Sequence, residues 1–377
     1  MTTNKMLAEQ AAQRISDRAT KRQIEAAKHL TAALEGDIKS RHWISEGIST
    51  SDLPAVLTPA INIQFLNQYA ATPTVWRELA TEVLADDFGG VEYGDFVTDA
   101  SALAGVHGGE VFVNGALPVV GEYDEYPAVK FATEQLAADL KKSGVRARLS
   151  WEAIIKGRVD LIGRFTESFG QWAARTEDVK LAFQFASAGG TVNTTNWTNA
   201  NQVSGNPALT LSALDAALAL SKQATVNGSP VTAPRYALVT TPALSQTAKN
   251  LLSITTITRT DGNGTYEQQA STITGNVFHV ELDAIAAAEL GGNALNAHWW
   301  IVPIGGARPA FGEIFLRDYR TPLVSIKDSG HFSISGGAVP AREGSFEVDD
   351  VQTRVRHVVD AAAISLEGAV WSNGTGS

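Results

Sequence analysis

The sequence predicts an α+β protein, and three stretches carry this prediction. Residues 150–187 contain no proline and place apolar side chains at steps of three and four, which is typical of a long amphipathic helix. Residues 207–330 alternate short strand and helix patterns, which indicates a separate α/β or α+β domain. Residues 346–370 combine β-branched residues with alternating polar residues and favour strand.

The predicted helix at 150–187 would be about 55 Å long. Ser150 is a suitable N-cap, and the glycine pair at 189–190 ends the helix. Glycines at 157, 163 and 170 each cost such a helix about 1 kcal/mol, so they indicate bending or close backbone contact. The predicted stripe consists of Trp151, Ile155, Arg158, Ile162, Phe165, Phe169, Trp172, Thr176, Val179 and Phe183.

Composition restricts the class of protein. The chain has 377 residues, 44% of them hydrophobic, which fits a globular protein with room for two or three domains. A net charge of −10 argues against a tight nucleic-acid binder, although it allows a surface that tolerates packaged DNA. The absence of Cys excludes disulfides, thiolate metal sites and Cys nucleophiles. We expect no secretory signal and no membrane span, because no apolar run is long enough.

The N-terminal hundred residues lack a strong core pattern. Residues 5–40 predict a polar helix with a thin apolar stripe, of the kind that docks on a neighbouring surface. We interpret 47–59 as an extended linker and 61–69 as a short apolar segment. Residues 73–84 predict a short helical piece or turn, and 86–97 a strand pair.

Residues 108–149 predict a projecting hairpin that leads into the long helix. Valines up to residue 120 form one strand, 121–127 an acidic tip, and 129–136 the returning strand. We expect a turn at 141–144 and a strand at 145–149. Because this hairpin has too few apolar residues to bury itself, we expect it to lie on another subunit.

The later pattern is that of a second domain. We expect an exposed loop at 191–206, a helix at 210–222, a buried strand at 235–240 and a helix entered through Pro242. A turn at 261–264 and further strands at 277–282, 299–303 and 313–316 complete it.

Signatures of catalysis and of cofactor binding are missing. No two of the seven His lie at i, i+3 or i, i+4, and HExxH, the P-loop and the G-x-S-x-G elbow do not occur. The sequence therefore predicts no catalytic residue, no metal ligand and no cofactor.

Charged and aromatic residues mark candidate contacts between subunits. The acids at 122, 124 and 125 fit a solvated tip that meets a basic patch on a neighbour, with a catalytic or cation site as the alternative. Arginines at 146, 148, 158 and 164 fit a surface for such acids or for nucleic acid. Tryptophans at 43, 76 and 197 fit either anchors in a partner's pocket or local packing. The candidates are Glu122, Tyr123, Asp124, Glu125, Tyr126, Lys130, Arg146, Arg148, Arg158, Trp43 and Trp76.

The order of these elements resembles the major capsid proteins of tailed double-stranded-DNA phages, the Hong Kong 97 type. The resemblance is carried first by 119–183, which begins VVGEYDEYPAVKFATEQ and includes the long helix. The second match is LTLSALDAALAL followed by RYALVTTPALSQTAKNLL, within 209–252. The third is DDVQTRVRHVVDAAAISLEGAV at 349–370. The amino-acid sequence around the long helix is similar to that of capsid proteins from phages of actinobacteria.

The resemblance implies five segments and a structural function. They are an N-terminal arm (1–100), an E-loop hairpin (101–149), a peripheral-domain spine helix (150–190), an axial domain (191–340) and returning peripheral strands (341–377). Copies would form pentamers and hexamers of an icosahedral virion shell that is assembled in the host cytoplasm. Implied partners are portal, scaffold and decoration proteins, with non-specific contact to packaged double-stranded DNA and no membrane.

One departure from the family concerns covalent cross-linking. The founding member joins an E-loop Lys to an Asn of a neighbour, but the tip at 121–127 has no Lys and the nearest is Lys130. We therefore expect no covalent links. We also expect no cleaved scaffold domain fused at the N-terminus.

Three alternative functions stay open: an encapsulin-type nanocompartment shell, an enzyme with a catalytic domain at 207–330, and a tail or decoration protein.

Overall fold

The structure, a computed structural model, describes most of the chain from residue 53 onward. The described residues are Lys39, 53–89, 91–95, 106–107, 110–111, Glu122, 132–136, 140–150, 159–226, 229–231, 233–253, 256–261, 264–269, 276–287, 290–306, 308–327, 347–348 and 350–376. The predicted helix at 5–40, except Lys39, and the predicted tip at 121–127, except Glu122, lie outside them.

Helices and strands are mixed, as the α+β prediction requires. The helices are α1 (Leu53–Ala71), α2 (Trp76–Leu79), α3 (Val159–Phe185), α4 (Leu211–Gln223) and α5 (Pro242–Leu252). The strands before α4 are β1 (Ala80–Ala85), β2 (Val91–Asp95), β3 (Val106–His107), β4 (Glu110–Val111), β5 (Ala132–Leu136), β6 (Lys142–Ser150), β7 (Ala186–Ser187) and β8 (Thr191–Val192). The later strands are β9 (Thr225–Val226), β10 (Ser229–Pro230), β11 (Arg235–Thr240), β12 (Thr256–Asp261), β13 (Gly264–Gln269), β14 (Val277–Glu281), β15 (Trp299–Ile304), β16 (Phe311–Leu316), β17 (Leu323–Ile326), β18 (Asp350–Ala363) and β19 (Val370–Ser372).

The chain divides into two compact units. Unit 1 comprises Met1–Thr74, Lys141–Glu177 and Phe315–Val359, and unit 2 comprises Val75–Leu140, Asp178–Ile314 and Asp360–Ser377.

Unit 1 is built around the first nine residues of β18. They pair antiparallel with β6, from Asp350 opposite Ser150 to Val358 opposite Lys142, and β17 pairs antiparallel with Thr353–Arg356. Because side chains alternate across a strand, Val355, His357 and Val359 are buried, while Arg354 points to the other face and is exposed. One face of β18 is therefore packed from Val355 to Val359, and the other face is exposed at Arg354, although Gln352 and Val358 on that face are buried.

Unit 2 contains a four-stranded sheet in the order β14-β11-β15-β19. β11 runs parallel to β14 and antiparallel to β15, and β15 pairs antiparallel with β19. One face packs on α4 and α5 through Leu214, Leu238, Ala248, Trp299 and Ile301. The opposite face of β15 presents Trp300 to an aromatic cluster of Phe185, Trp197 and Phe311, with ring centroids 5.0–6.3 Å apart.

Many predicted elements of unit 2 are confirmed. The strand at 235–240, the helix from Pro242, the helix at 210–222 and the strands near 277, 299 and 313 occur within one or two residues of their expected bounds. Thr210 caps α4 by accepting a hydrogen bond from the Ala213 N–H at 3.2 Å. The β-branched stretch after 346 forms β18 and β19.

Several predictions for the first half of the chain are wrong. Residues 53–59 of the predicted linker are helical, since Pro54 lies in the first turn of α1, where no N–H is required. The expected strand pair at 86–97 is instead one strand, β2, paired with β5. The expected turn at 141–144 falls largely within β6, where Lys142–Gly144 pair with Arg356–Val358.

The loop at 191–206 is less exposed than predicted. Trp197 is 1% exposed and Val203 is 5% exposed, so both belong to the core of unit 2. The Trp197 indole N–H donates to the Gln184 carbonyl at 2.9 Å. Local packing, rather than anchoring in a partner, therefore explains this tryptophan.

The long helix differs from the prediction in its buried stripe. Ser150 is the last residue of β6, opposite Asp350, and residues 151–158, where the helix was expected to begin, lie outside the described residues. Trp172 and Phe183 of the predicted stripe are 52% and 41% exposed. The buried stripe is displaced toward small residues, which let other elements approach closely. Its members are Thr166, Phe169, Gly170, Ala173, Ala174, Glu177, Asp178, Leu181, Ala182 and Phe185.

Gly170 marks such a close approach between α3 and α1. A Cβ built at this position would lie 3.0 Å from the Phe65 carbonyl oxygen and 3.0 Å from the Tyr69 backbone nitrogen. Of the two explanations for this glycine, close backbone contact is the one that the structure supports.

We predict that Gly170→Ala lowers the stability of the protein although alanine is the better helix former. The gain of about 1 kcal/mol in helix propensity is outweighed by overpacking against α1, which costs about 1–3 kcal/mol. Chemical denaturation measures the change. Gln171→Ala, at the neighbouring exposed position, is the control and should change stability by less than about 0.5 kcal/mol. A Gly170→Ala protein more stable than wild type would contradict the close contact.

Candidate assembly surfaces

Ionisable side chains form no metal-binding constellation in the described part of the chain. No group of three or more His, Asp or Glu residues there could hold a metal ion. No helix among the described residues is both long enough and apolar enough to cross a membrane. Two clusters with buried polar atoms and one charged surface occur among the described residues.

The first buried cluster joins three elements of unit 1. The Tyr69 hydroxyl of α1 donates to Glu177 Oε1 of α3, and His357 Nε2 of β18 lies 3.1 Å from the same oxygen. These side chains are 3%, 0% and 3% exposed. His357 Nδ1 is buried without a hydrogen-bond partner, so a proton on Nε2 satisfies the carboxyl oxygen. The cluster fixes two helices to the sheet, which is a structural role.

We predict that Tyr69→Phe destabilises the protein by about 1–3 kcal/mol, because the buried carboxyl group loses a donor. The ring and its packing are retained, so the loss reports the hydroxyl. Thermal unfolding provides the measurement. Tyr319→Phe removes a hydroxyl from a side chain that is 47% exposed, and this control should leave the unfolding temperature nearly unchanged. Equal effects of the two substitutions would contradict a stabilising cluster.

The second buried cluster surrounds His298 in unit 2. Its ring stacks on Trp300 at 6.0 Å and on Trp371 at 6.1 Å, and its Nδ1 is buried without a hydrogen-bond partner. Burial lowers the pKa of His298 from the ordinary value of 6.5 because the charged ring loses its hydration. His298 is therefore neutral in the folded protein at neutral pH.

We predict that acidification through about pH 6.5 destabilises the protein partly through His298. In this range His298 takes up a proton in the unfolded chain but resists protonation in the folded protein. The contribution of neutral His298 to the free energy of unfolding is therefore fully present above the unfolded pKa and decreases as the pH falls below it. His298→Phe keeps a stacked ring and removes the titration. Its unfolding temperature should fall less than that of wild type between about pH 7.5 and about pH 5.5. Parallel pH profiles of the two proteins would refute a role for His298.

The charged surface is the open face of the unit 1 sheet, which we name the basic face. Its cations come from all three strands, in rows set by the register. Arg146 lies opposite Arg354, and Arg354 lies opposite Ser325. The residues of the basic face are Arg146, Arg148, Ser325, Lys327, Arg354 and Arg356.

Among the described residues, Arg148 is the cation of the basic face that pairs with a carboxylate. Arg148 Nε lies 2.8 Å from Asp350 Oδ2, and Arg146 donates to Gln352 Oε1 at 3.2 Å. Arg354 Nε donates to the neutral Ser325 hydroxyl at 3.3 Å, and Arg356 lies 5.2 Å from the Tyr319 ring centroid. In the described part of unit 1, Asp350 is the one carboxylate that contacts the basic face.

Several candidate residues from the sequence can be placed. Arg146 and Arg148 are exposed on β6 as part of the basic face, and Arg164 is exposed on α3. Glu122 is exposed and forms no ion pair with a described residue. Tyr123, Asp124, Glu125, Tyr126, Lys130, Arg158 and Trp43 lie outside the described residues.

Trp76 is buried within its own subunit. It is 3% exposed in unit 2, and Asp178 Oδ1 accepts its backbone N–H at 2.9 Å. Little of this side chain is left for a neighbouring subunit in this conformation.

Sequence reasoning missed Arg354, Arg356 and Lys327. The signal was present for the first two, because arginines two residues apart on a strand lie on one face. They lie beside Arg146 and Arg148 because β6 pairs with β18. Since these two strands are about two hundred residues apart in the sequence, this proximity could not be predicted from local pattern.

Comparison with known proteins identifies the family. Residues 133–372, well over half of the chain, match the family of phage capsid proteins. The chain belongs to this family. It is a structural, shell-forming protein of a phage virion that assembles with copies of itself. No curated protein shows significant sequence similarity to the chain.

Three solved structures to which the chain is similar have sequence identities of 10–12% and TM-scores of 0.41–0.44. A protein of Gordonia phage Cozz is 12% identical, with 80% of this chain and 86% of that chain covered and a TM-score of 0.43. A protein of Mycobacterium phage Adephagia is 12% identical, with 80% of this chain and 89% of that chain covered and a TM-score of 0.44. The SrpI encapsulin complex of Synechococcus elongatus PCC 7942 is 10% identical, with 80% of this chain and 91% of that chain covered and a TM-score of 0.41. The assignment to the family therefore rests on the match over 133–372.

Proposed function

We propose that this protein is the major capsid subunit of a tailed phage, with a fold of the Hong Kong 97 type. The observation that carries the proposal is the phage capsid family match over 133–372. That match also favours a phage shell over the encapsulin alternative. Pentamers and hexamers of the subunit form an icosahedral shell around packaged double-stranded DNA, and assembly takes place in the host cytoplasm.

The proposed segments keep the bounds expected from the sequence. An arm (1–100) and an E-loop hairpin (101–149) bind neighbouring subunits, a spine helix (150–190) and returning strands (341–377) form the peripheral domain, and 191–340 form the axial domain. The four-stranded sheet of unit 2 with α4 and α5 supports an α/β axial domain. The antiparallel pairing of β6 with β18 supports returning strands beside the hairpin's last strand.

The proposed shell has non-covalent contacts between subunits. The acidic tip at 121–127 has no Lys for an amide link to a neighbour. The total charge of −10 suits a container whose lining does not retain DNA strongly. Portal, scaffold and decoration proteins are the further partners that such a shell uses.

We predict that the full-length protein forms uniform icosahedral shells, visible by negative-stain electron microscopy of the expressed protein or of native particles. Because the tip lacks Lys, denatured particles should give a single subunit band on an electrophoresis gel. A monodisperse monomer or dimer at all concentrations would overturn the proposed function. A ladder of linked subunits would overturn the non-covalent contacts while leaving the shell intact.

A further inference from the structure

The two edges of the four-stranded sheet in unit 2 differ in how they are covered. At one edge, Gln202 forms a β-bridge with Trp371 of β19, and the Val203 N–H donates to the Trp371 carbonyl at 2.8 Å. At the other edge, β14 pairs with β11, and no further described strand pairs with it. An uncovered strand edge is a row of backbone donors and acceptors that can take another strand.

The register shows which backbone groups of β14 form this edge. The Tyr236 N–H donates to the Asn276 carbonyl at 2.8 Å, and the Leu282 N–H donates to the Thr240 carbonyl at 3.0 Å. Every second residue of a parallel strand bonds to a given neighbour, so three residues of β14 direct their N–H and C=O groups away from β11. These residues are Val277, His279 and Glu281. Among the described residues, no backbone group bonds to these outward groups.

β14 has none of the usual features that block an edge strand. Its sequence, VFHVE, contains no Pro and no Lys. Its one carboxylate, Glu281, accepts from the Ser245 hydroxyl at 2.5 Å and lies 3.6 Å from Lys249 Nζ. Because α5 supplies both of these partners, the charge of this strand is satisfied within the subunit. The edge is therefore suited to receive a strand.

The hairpin of β12 and β13 is a second unpaired element of unit 2. The two strands pair with each other along their whole length and form a sheet of their own. A two-stranded hairpin is only marginally stable in water, so it needs a further strand or a hydrophobic face. The hairpin sequence, TITRTDGNGTYEQQ, has Ile257 and Tyr266 as its only large aliphatic or aromatic residues. Backbone pairing is therefore the stabilising contact that this hairpin can make.

We propose that the outer edge of β14 receives β12 of a second copy of this chain, so that the sheet continues from one subunit into the next. β12 suits this pairing because four of its six residues are β-branched. β13 suits it less, because its Glu267 would bring a like charge toward Glu281.

The geometry of this contact is head-to-tail, because the strand that is given and the edge that receives it are different elements of the subunit. A head-to-tail contact closes into a ring where its rotation permits. The inference rests on the proposed shell function, whose pentamers and hexamers are rings of this kind. It identifies a backbone contact that joins neighbouring copies in a ring.

A cross-linking experiment tests which elements meet, because the chain has no Cys of its own. Two single-cysteine proteins are mixed, assembled into shells and treated with a short bis-maleimide. They carry Thr258→Cys within β12 and Asn276→Cys, at an exposed residue just before β14. Thiols held close together have an effective concentration on the order of millimolar, so we expect mixed dimers at about tenfold above the control pair.

The control pair replaces Asn276→Cys by Asp215→Cys, which is exposed on α4, a helix that packs on β15 and β19. Equal linkage of the 258–276 and 258–215 pairs would overturn the proposal. Linked dimers from Asn276→Cys assembled alone would show that two β14 edges meet each other, which would also overturn it. Absence of shells from wild type would instead overturn the proposed function, so the two failures are distinguishable.

Hydrogen–deuterium exchange distinguishes strand pairing from proximity. The outward amides of β14 have no backbone partner among the described residues of the subunit, so they should exchange readily before assembly. In wild-type shells, a peptide that covers Val277–Glu281 should exchange about tenfold more slowly at these amides. Equal exchange in shells and in unassembled subunits would overturn strand pairing, even where cross-links form.

A proline substitution gives an independent test. His279→Pro removes one outward N–H and leaves the hydrogen bonds between β14 and β11, whereas His279→Ala removes the same side chain and keeps the N–H. We expect about tenfold fewer shells from the Pro variant than from the Ala variant at equal concentration, with thermal unfolding showing that both subunits are folded. Equal assembly of the two variants would refute the proposal. If the Pro variant does not fold, the cross-linking and exchange experiments decide.

Discussion

The pairing of β18 is the constraint on which unit 1 depends. This 14-residue strand receives β6 on one edge and β17 on the other, and the register decides which side chains share a face. With this register, His357 is buried beneath α1 and α3 while Arg354 and Arg356 join Arg146. A slip of one residue would bury the arginines and expose His357, so register is strongly specified.

The two faces of that sheet solve different physical problems. On the packed face, the buried carboxyl group of Glu177 is satisfied by Tyr69 and His357, which avoids the cost of an unpaired polar group. On the open face, the arginines remain hydrated and need no partner for the subunit to fold.

Local signals in the sequence predicted unit 2 better than unit 1. β11 is a short apolar run followed by Pro242 at the start of α5, and both features are read from adjacent residues. The extent of β6 could not be read in this way, because its pairing joins Ser150 to Asp350, about two hundred residues further along the chain. The predicted buried stripe of α3 was wrong because it was drawn through the large apolar side chains. The side that is buried contains Gly170, Ala173 and Ala174, which permit other elements to approach closely.

The candidate assembly surface was half predictable for the same reason. Arg146 and Arg148 lie close together in the sequence, but the basic face combines residues of three strands that are far apart in the sequence. In the buried cluster, Glu177 contacts Tyr69 and His357, which are 108 and 180 positions away from it. Its energetics follow from exposure. An exposed ion pair contributes about 0.2–1 kcal/mol, so a few ion pairs on an exposed face hold two subunits together only weakly. A closed shell multiplies this contribution over all its subunits, which makes single wrong contacts reversible while the completed assembly is stable.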